Sequence, residues 1–237
     1  MPLLVRTWNL FHGNAVPPQR RAYLEQMVRL VTADAPGVVC LQEVPVWALD
    51  RLAAWSGMQV FGAVAARPRL RSARLGQVLT DLNHGLLRSA VTGQANAILL
   101  SPELAAPERW WSLLSKPGEG ERRVCQALRV ETLGVVGNVH VTTELAEAQL
   151  RRALDLVELY AHPGAPIVLA GDLNTRPGEG TVYDELAARG FSEPAPEIDQ
   201  ILVRGVPSTP PGIWPEERRR VDGRLLSDHA PVELTVG

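Results

Sequence analysis

The chain has 237 residues, 46% of them apolar and 21% charged, with a formal net charge of −2. That balance is globular and excludes a disordered chain or a polycation, while neither demanding nor excluding a nucleic-acid partner. Cys40 and Cys125 both lie in apolar runs and read as buried thiols, no run nears the roughly 18 apolar residues of a membrane span, and the N-terminus opens on a strand-like segment without a leader pattern, so a soluble, cytoplasmic, monomeric protein of one domain (residues 1–237) is expected.

In chain order, Leu3–Asn9 reads as a strand, and Pro17-Pro18 opens a helix through about Ala33 on the spacing of Tyr23, Leu24, Met27, Val28, Leu30 and Val31. Val38–Leu41 is a buried strand with Gln42-Glu43 at its end. A helix over 46–55 and a strand over 58–65 follow. Residues 66–95 read as a long loop or lid with a weak helix near 75–82. It is rich in arginine (Arg67, Arg69, Arg71, Arg74), which suits either a solvated surface or a phosphate. Strands are predicted at 96–100, 110–114, 124–130 and 133–141, as successive antiparallel hairpins. A helix over 144–160 precedes the strand Ile167–Ala170, which Gly171 ends. A helix over 181–189, a strand over 198–203, a Pro-rich loop over 207–226 and a last strand over 230–236 complete the chain. Two packed mixed sheets with helices on the outer faces would bury these strands, an α/β (α+β) sandwich.

Polar residues recur at the strand ends. They are Trp8-Asn9, Gln42-Glu43, Asn138-Val139-His140, Gly171-Asp172-Leu173-Asn174, Ile198-Asp199 and Ser227-Asp228-His229. Any one could close a turn. Together they form a coherent inventory. Glu43, Asp172, Asp199 and Asp228 are hard oxygen donors, and no Cys–His spacing for zinc competes with them. Such donors suit Mg²⁺ or Mn²⁺ sharing oxygens with a phosphate. His140 and His229 could donate to a phosphoryl oxygen or transfer protons near neutral pH, though a lone histidine on a strand is often structural. Asn9 and Asn174 add neutral polar contacts. The set fits in-line hydrolysis of a phosphate ester.

These motifs, with Thr7-Trp8-Asn9, Leu41-Gln42-Glu43 and Asn96-Ala97-Ile98-Leu99 in the same order, resemble the endonuclease/exonuclease/phosphatase superfamily of pancreatic-type deoxyribonucleases, exonuclease-III-type enzymes, inositol-polyphosphate phosphatases and neutral sphingomyelinases. The resemblance implies a four-layer α/β sandwich with the site at one edge of the two sheets. It implies that Glu43 is the principal Mg²⁺ (or Mn²⁺) ligand with Asn9 and Asp228 close by. Asp172 would orient or deprotonate the attacking water, and Asn174 would hold that water or the phosphate. His229 would donate to the phosphate, with Asp199 fixing its tautomer. His140 would be a second acid/base group. Asn96 sits where relatives place a polar residue beside that histidine. His12, His84, Arg74 and Arg219 are candidate rim or substrate contacts, and His162 reads as surface.

The substrate expected is a phosphate ester, with DNA and RNA among the candidates and a monoester or a lipid or sugar phosphodiester as alternatives. No Lys-rich inositol-phosphatase motif or long insertion narrows the choice, and Lys116 is the single lysine among 24 Lys and Arg. A catalytically inactive relative that binds a phosphorylated ligand is the reading from a different class.

Overall fold

The computed structural model of the chain describes residues 2–18, 21–68, 73–82 and 91–237. The strands β1 (Leu3–Asn9), β2 (Ala15–Val16), β3 (Val38–Val44), β4 (Gln59–Ala66), β5 (Gln94–Leu100), β6 (Glu108–Leu113), β7 (Val124–Val130), β8 (Gly134–His140), β9 (Ile167–Asp172), β10 (Asp199–Arg204), β11 (Gly212–Ile213), β12 (Arg220–Val221), β13 (Arg224–Leu226) and β14 (Val232–Val236) form three sheets. One has the order β11-β14-β1-β3-β5-β4 and another β10-β9-β8-β7-β6, while β12-β13-β2 is a small third sheet. The helices are α1 (Leu24–Thr32), α2 (Leu49–Ser56), α3 (Ala73–Leu82), α4 (Ala146–Tyr160) and α5 (Val182–Ala188).

Strand alternation builds the layers. On β1, Val5 faces the second sheet while Trp8 faces α1 and α2; on β3, Val38 and Cys40 face inward while Val39 and Leu41 face outward. One apolar layer therefore packs Met27, Val28 and Leu52 onto the first sheet, and another packs Leu150, Leu154 and Leu186 onto the second. Between the sheets, Val5, Val38, Ile98, Leu128, Val136, Val168, Ile201 and Leu234 interlock. Each such buried side chain contributes about 1.5–3 kcal/mol. This is the four-layer α/β sandwich that the sequence predicts.

Some boundaries differ from the sequence reading. The first helix starts at Leu24, not at Pro17; Pro17 and Pro18 lack N–H donors, and each proline disfavours the helical region for the residue before it. The hairpin reading holds for β6-β7-β8, but β5 and β6 lie in different sheets, so the chain crosses between sheets there. β5 begins at Gln94, inside the predicted loop, and α3 occupies 73–82. The predicted loop over 207–226 holds β11, β12 and β13, the last pairing with β2. Arg69, Arg71 and His84 lie outside the described residues. Among the described residues, no helix is long and apolar enough to cross a membrane.

Candidate active site

Strand polarity gathers the site. β1 runs parallel to β3, and β8 parallel to β9, so Asn9, Glu43, His140 and Asp172 arrive at one rim of the sandwich. β5, β10 and β14 run antiparallel to neighbours in these sheets, so it is their beginnings that reach the same rim, at Gln94, Asp199 and, just ahead of β14, Asp228-His229. The facing side chains change from apolar to polar along each strand. Thr7, Gln42 and Asn138 mark the boundary. Gln42 Nε2 donates to Asn138 Oδ1 at 2.8 Å and to Thr7 Oγ1 at 3.0 Å, and Asn138 Nδ2 donates to the Leu41 and Ala97 carbonyls at 3.0 Å. This buried network ties the two sheets together beneath the rim.

Local backbone features aim the acids. Between Leu41 and Val44, β3 carries one residue more than its partner β5, and Glu43 takes a left-handed φ of +53°. The bulge breaks the alternation, so Glu43 as well as Gln42 faces the second sheet's side chains. On β9, Gly171 has φ +143° and approaches β8 so closely that a Cβ would lie 1.9 Å from the Val139 carbonyl oxygen. Only glycine fits there, and that approach sets His140 beside Asp172.

Asp172 is the hub. Its Oδ2 accepts from Asn9 Nδ2 at 2.9 Å and lies 3.5 Å from His140 Nε2 and 3.9 Å from His229 Nε2. Its Oδ1 accepts from the Asn174 backbone N–H at 3.0 Å. Asn174 also has a left-handed φ, +46°, and its Nδ2 donates to the Val141 carbonyl. Burial pushes the Asp172 carboxyl above the usual range, against the pull of His229 and Asn9.

His229 pairs with Asp199, Nδ1 to Oδ2 at 2.7 Å. Burial works against a charged imidazole. The bond to Asp199, with Asp172 and Asp228 nearby, outweighs it and lifts His229 to about 10. The His229 main chain is fixed from three sides: its carbonyl accepts from Trp8 Nε1 and Arg219 Nη1, both at 2.9 Å, and its N–H donates to Ser227 Oγ. His140 is fully buried and is held well below the ordinary histidine value by that burial, with Arg123 adding to it.

Asp172, Asp199 and His229 each bring a ligand-type atom within 4.8 Å of the others. A protonated His229 has no lone pair to offer, so that trio is a proton-holding dyad facing a carboxylate. Burial raises all three inner carboxyls, Glu43 to about 7, Asp199 to about 6 and Asp172 above the usual range, and Asp199 is the one paired directly with His229. Glu43 lies near two imidazoles, His12 Nε2 at 3.4 Å and His140 Nε2 at 3.9 Å, with Arg123 and Asn9 also pulling its carboxyl down against burial. A half-buried carboxylate, Glu43, and a buried one, Asp172, with the Asn9 amide beside them are a donor set that fits a hard divalent cation.

The rim thus unites Asn9, His12, Glu43, His140, Asp172, Asn174, Asp199, Asp228 and His229. Asp228 is exposed at its edge, 3.9 Å from His229 Nε2, and forms no ion pair or hydrogen bond with Glu43. Asn96 is placed differently from expectation: it is buried, donating to the Val124 carbonyl at 3.1 Å. The residue beside His140 is Gln94, two positions earlier on the same strand face. Arg219 is buried and spends Nη1 on the carbonyls of Leu226, Ser227 and His229, so it shapes the loop that carries His229. Arg74 is exposed on α3, and no hydrogen bond or ion pair joins it to the rim. The sequence reading missed Gln94 and Arg123. The period-2 pattern through Asn96 would have pointed to Gln94; Arg123, just ahead of β7, left no signal.

A sandwich of this build, with acids, amides and imidazoles gathered at one rim, defines the class of phosphoesterase folds. A model of the Endonuclease/Exonuclease/phosphatase family matches residues 7–229, and the chain belongs to that family. Its members are hydrolases acting on phosphate esters and generally use divalent metals. No curated protein matches the chain in sequence. Among solved structures, a functionally unknown conserved protein from Enterococcus faecalis V583 is similar with a TM-score of 0.73 at 20% identity, covering 99% of both chains. The mannosyl-6-phosphatase Bt3783 of Bacteroides thetaiotaomicron is similar at 0.68 and 16%, covering 99% of both chains. TDP2 from Caenorhabditis elegans is similar at 0.66 and 18%, covering all of this chain and 74% of that one.

Proposed function

We propose that the chain is a divalent-metal-dependent phosphodiesterase that hydrolyses its substrate by direct attack of water. The observation that carries this reading is the convergence of Asn9, His140 and His229 on one oxygen of Asp172, with Glu43 alongside. A carboxylate so held takes a proton from water, and its orientation is fixed by the Asn174 N–H on its other oxygen. Asn174 would hold the phosphate or that water. His229, kept protonated by Asp199, donates from Nε2 to the developing charge on a phosphoryl oxygen. His140 supplies a second imidazole beside the same Asp172 oxygen. Glu43 would hold Mg²⁺ or Mn²⁺, with Asn9 and Asp228 contributing from either side, and the cation would offset negative charge on the phosphate oxygens.

Water forms a bond to phosphorus as the leaving oxygen departs, with no covalent enzyme intermediate. DNA and RNA are among the candidate diesters, because loop arginines and exposed Trp111 suit an anionic strand with bases.

The test is hydrolysis of a bis-aryl phosphate with Mg²⁺ and with EDTA, for the chain and for Asp172→Asn. Turnover should need the metal and fall about 10²–10⁴-fold in the variant, with an unchanged circular dichroism spectrum. Metal-independent turnover, or full activity of Asp172→Asn, would sink this reading. No turnover on diesters with phosphate release from monoesters would replace it with a monoesterase. Binding of a phosphorylated ligand without any turnover would identify an inactive relative.

A further inference from the structure

We propose that Gln94 and Arg123 are positioning residues that hold His140 in the tautomer whose Nδ1 accepts and whose Nε2 carries the proton, so that the ring presents a fixed hydrogen-bond donor toward Asp172. The consequence for turnover rests on the hydrolase reading above; the tautomer does not.

The argument starts from the one partner that can only donate. Arg123 Nη1 lies 3.0 Å from the Gln94 side-chain oxygen. A guanidinium has no acceptor, so the amide atom facing it is Oε1, and this decides which way the amide is turned. Gln94 Nε2 then faces His140 Nδ1 at 3.2 Å. Arg123 Nη1 is itself 3.5 Å from the same ring nitrogen. Both neighbours of Nδ1 are donors, so Nδ1 presents its lone pair. The proton of the neutral ring sits on Nε2, where the neighbours are both acceptors: Asp172 Oδ2 at 3.5 Å and Glu43 Oε1 at 3.9 Å.

The arrangement is sealed. Gln94 is 3% exposed, Arg123 8% and His140 2%, so water cannot substitute for a misplaced proton. Glu121 holds the guanidinium from outside through Nη2 at 2.7 Å. A proton placed on Nδ1 would meet an amide N–H and a guanidinium, with no acceptor. Nδ1 is therefore the accepting nitrogen and Nε2 the donating one. Its N–H is aimed into the same space as that of His229 and makes a second donor for a phosphoryl oxygen. An amide stands behind the ring and fixes which nitrogen faces the site.

Nitrogen-15 spectra of the histidine rings in the intact chain test the tautomer, with His140 assigned by loss of its signals in His140→Gln. The expected pattern is an unprotonated Nδ1 and a protonated Nε2. Gln94→Glu replaces the facing donor with an acceptor. It should move a proton to Nδ1 and lower kcat about 10²-fold with little change in KM. A wild-type ring protonated at Nδ1, or ring shifts unchanged in Gln94→Glu, would overturn the proposal whether or not the protein hydrolyses diesters. The wild-type spectrum decides the matter even if the variant does not fold. The predicted tautomer in a protein without turnover would instead remove the hydrolase reading and leave the positioning role standing.

Discussion

Each oxygen of Asp172 has its own neighbours, and the two imidazoles that flank it are held in opposite ways. Asp199 accepts from His229 Nδ1 at 2.7 Å and favours the charged ring. Gln94 donates to His140 Nδ1 at 3.2 Å and favours the neutral one. One site thus holds two differently supported imidazole donors beside a single carboxylate oxygen. Asp199→Asn separates geometry from charge. An asparagine Oδ1 still accepts from Nδ1, so the ring stays in place. The charge that offsets burial is gone, and His229 falls from about 10. Turnover near neutral pH should drop about 10²-fold with KM nearly unchanged. The alkaline limb of the kcat–pH profile should move to lower pH, because the donor loses its proton sooner. An unshifted limb would show that the pair does not control turnover. Measurement of kcat across the pH range decides between these outcomes.

At the scale of elements, the site depends on how β1 and β14 are held, since they carry Asn9 and lead out of His229. A buried arginine clamps them. Arg6 on β1 donates from Nε to Glu233 on β14 at 2.8 Å, from Nη2 to Asp34 after α1 at 2.5 Å, and from Nη1 to the Val31 carbonyl at 2.8 Å. Arg218 binds both acids from outside at 2.8 Å and lies 3.6 Å from the centre of the Trp214 ring. The hydrogen bond from Arg6 holds Asp34 below the usual carboxylate range. Burial pushes Glu233 up, but Trp214 together with Arg6 and Arg218 outweighs it and the net shift is downward. Groups with lowered folded values contribute stability that is fully present above the unfolded carboxylate range near 4 and lost as pH falls through the folded values. Arg6→Met removes the clamp. Losing one partner of a fully buried pair costs about 3–5 kcal/mol, but both acids here can be partly rehydrated, so about 2 kcal/mol is expected at pH 7. Urea unfolding should show the gap between wild type and variant closing between pH 5 and pH 3. A gap independent of pH would mean that the side chain acts through packing alone.

Across the whole molecule, the legible part was what strands carry to their ends. Apolar runs gave most of the layers, and the polar residues after them gave Asn9, Glu43, His140, Asp172, Asp199 and His229, because an α/β sandwich must leave its strand ends at a rim. Contacts set by bulges and crossings were not legible. Neither the turn of Glu43 by an extra residue in β3 nor the passage of the chain between sheets after β5 leaves a periodic mark. Gln94 does carry the period-2 mark of Asn96, but its strand begins inside what reads as a loop. Arg123 meets His140 only through folding of distant segments. The rim as a unit has a consequence for stability. Glu43 and Asp172 are carboxylates that burial raises, so folding works against their charge. A cation that binds only the folded chain would relieve this and stabilise it by mass action, about 2.7 kcal/mol at a hundred times its Kd. For a chain of this length each kcal/mol raises Tm by roughly 2–4 °C. Mg²⁺ should therefore raise Tm by roughly 5–10 °C, and EDTA should abolish the rise. Glu43→Gln keeps the side-chain shape and removes the charge, so its Tm without metal should equal or exceed that of the wild type, and Mg²⁺ should no longer move it. Differential scanning calorimetry of both proteins with and without Mg²⁺ makes the comparison. An equal rise in the variant would place the cation elsewhere than on Glu43, and no rise in the wild type would remove the metal from the rim altogether.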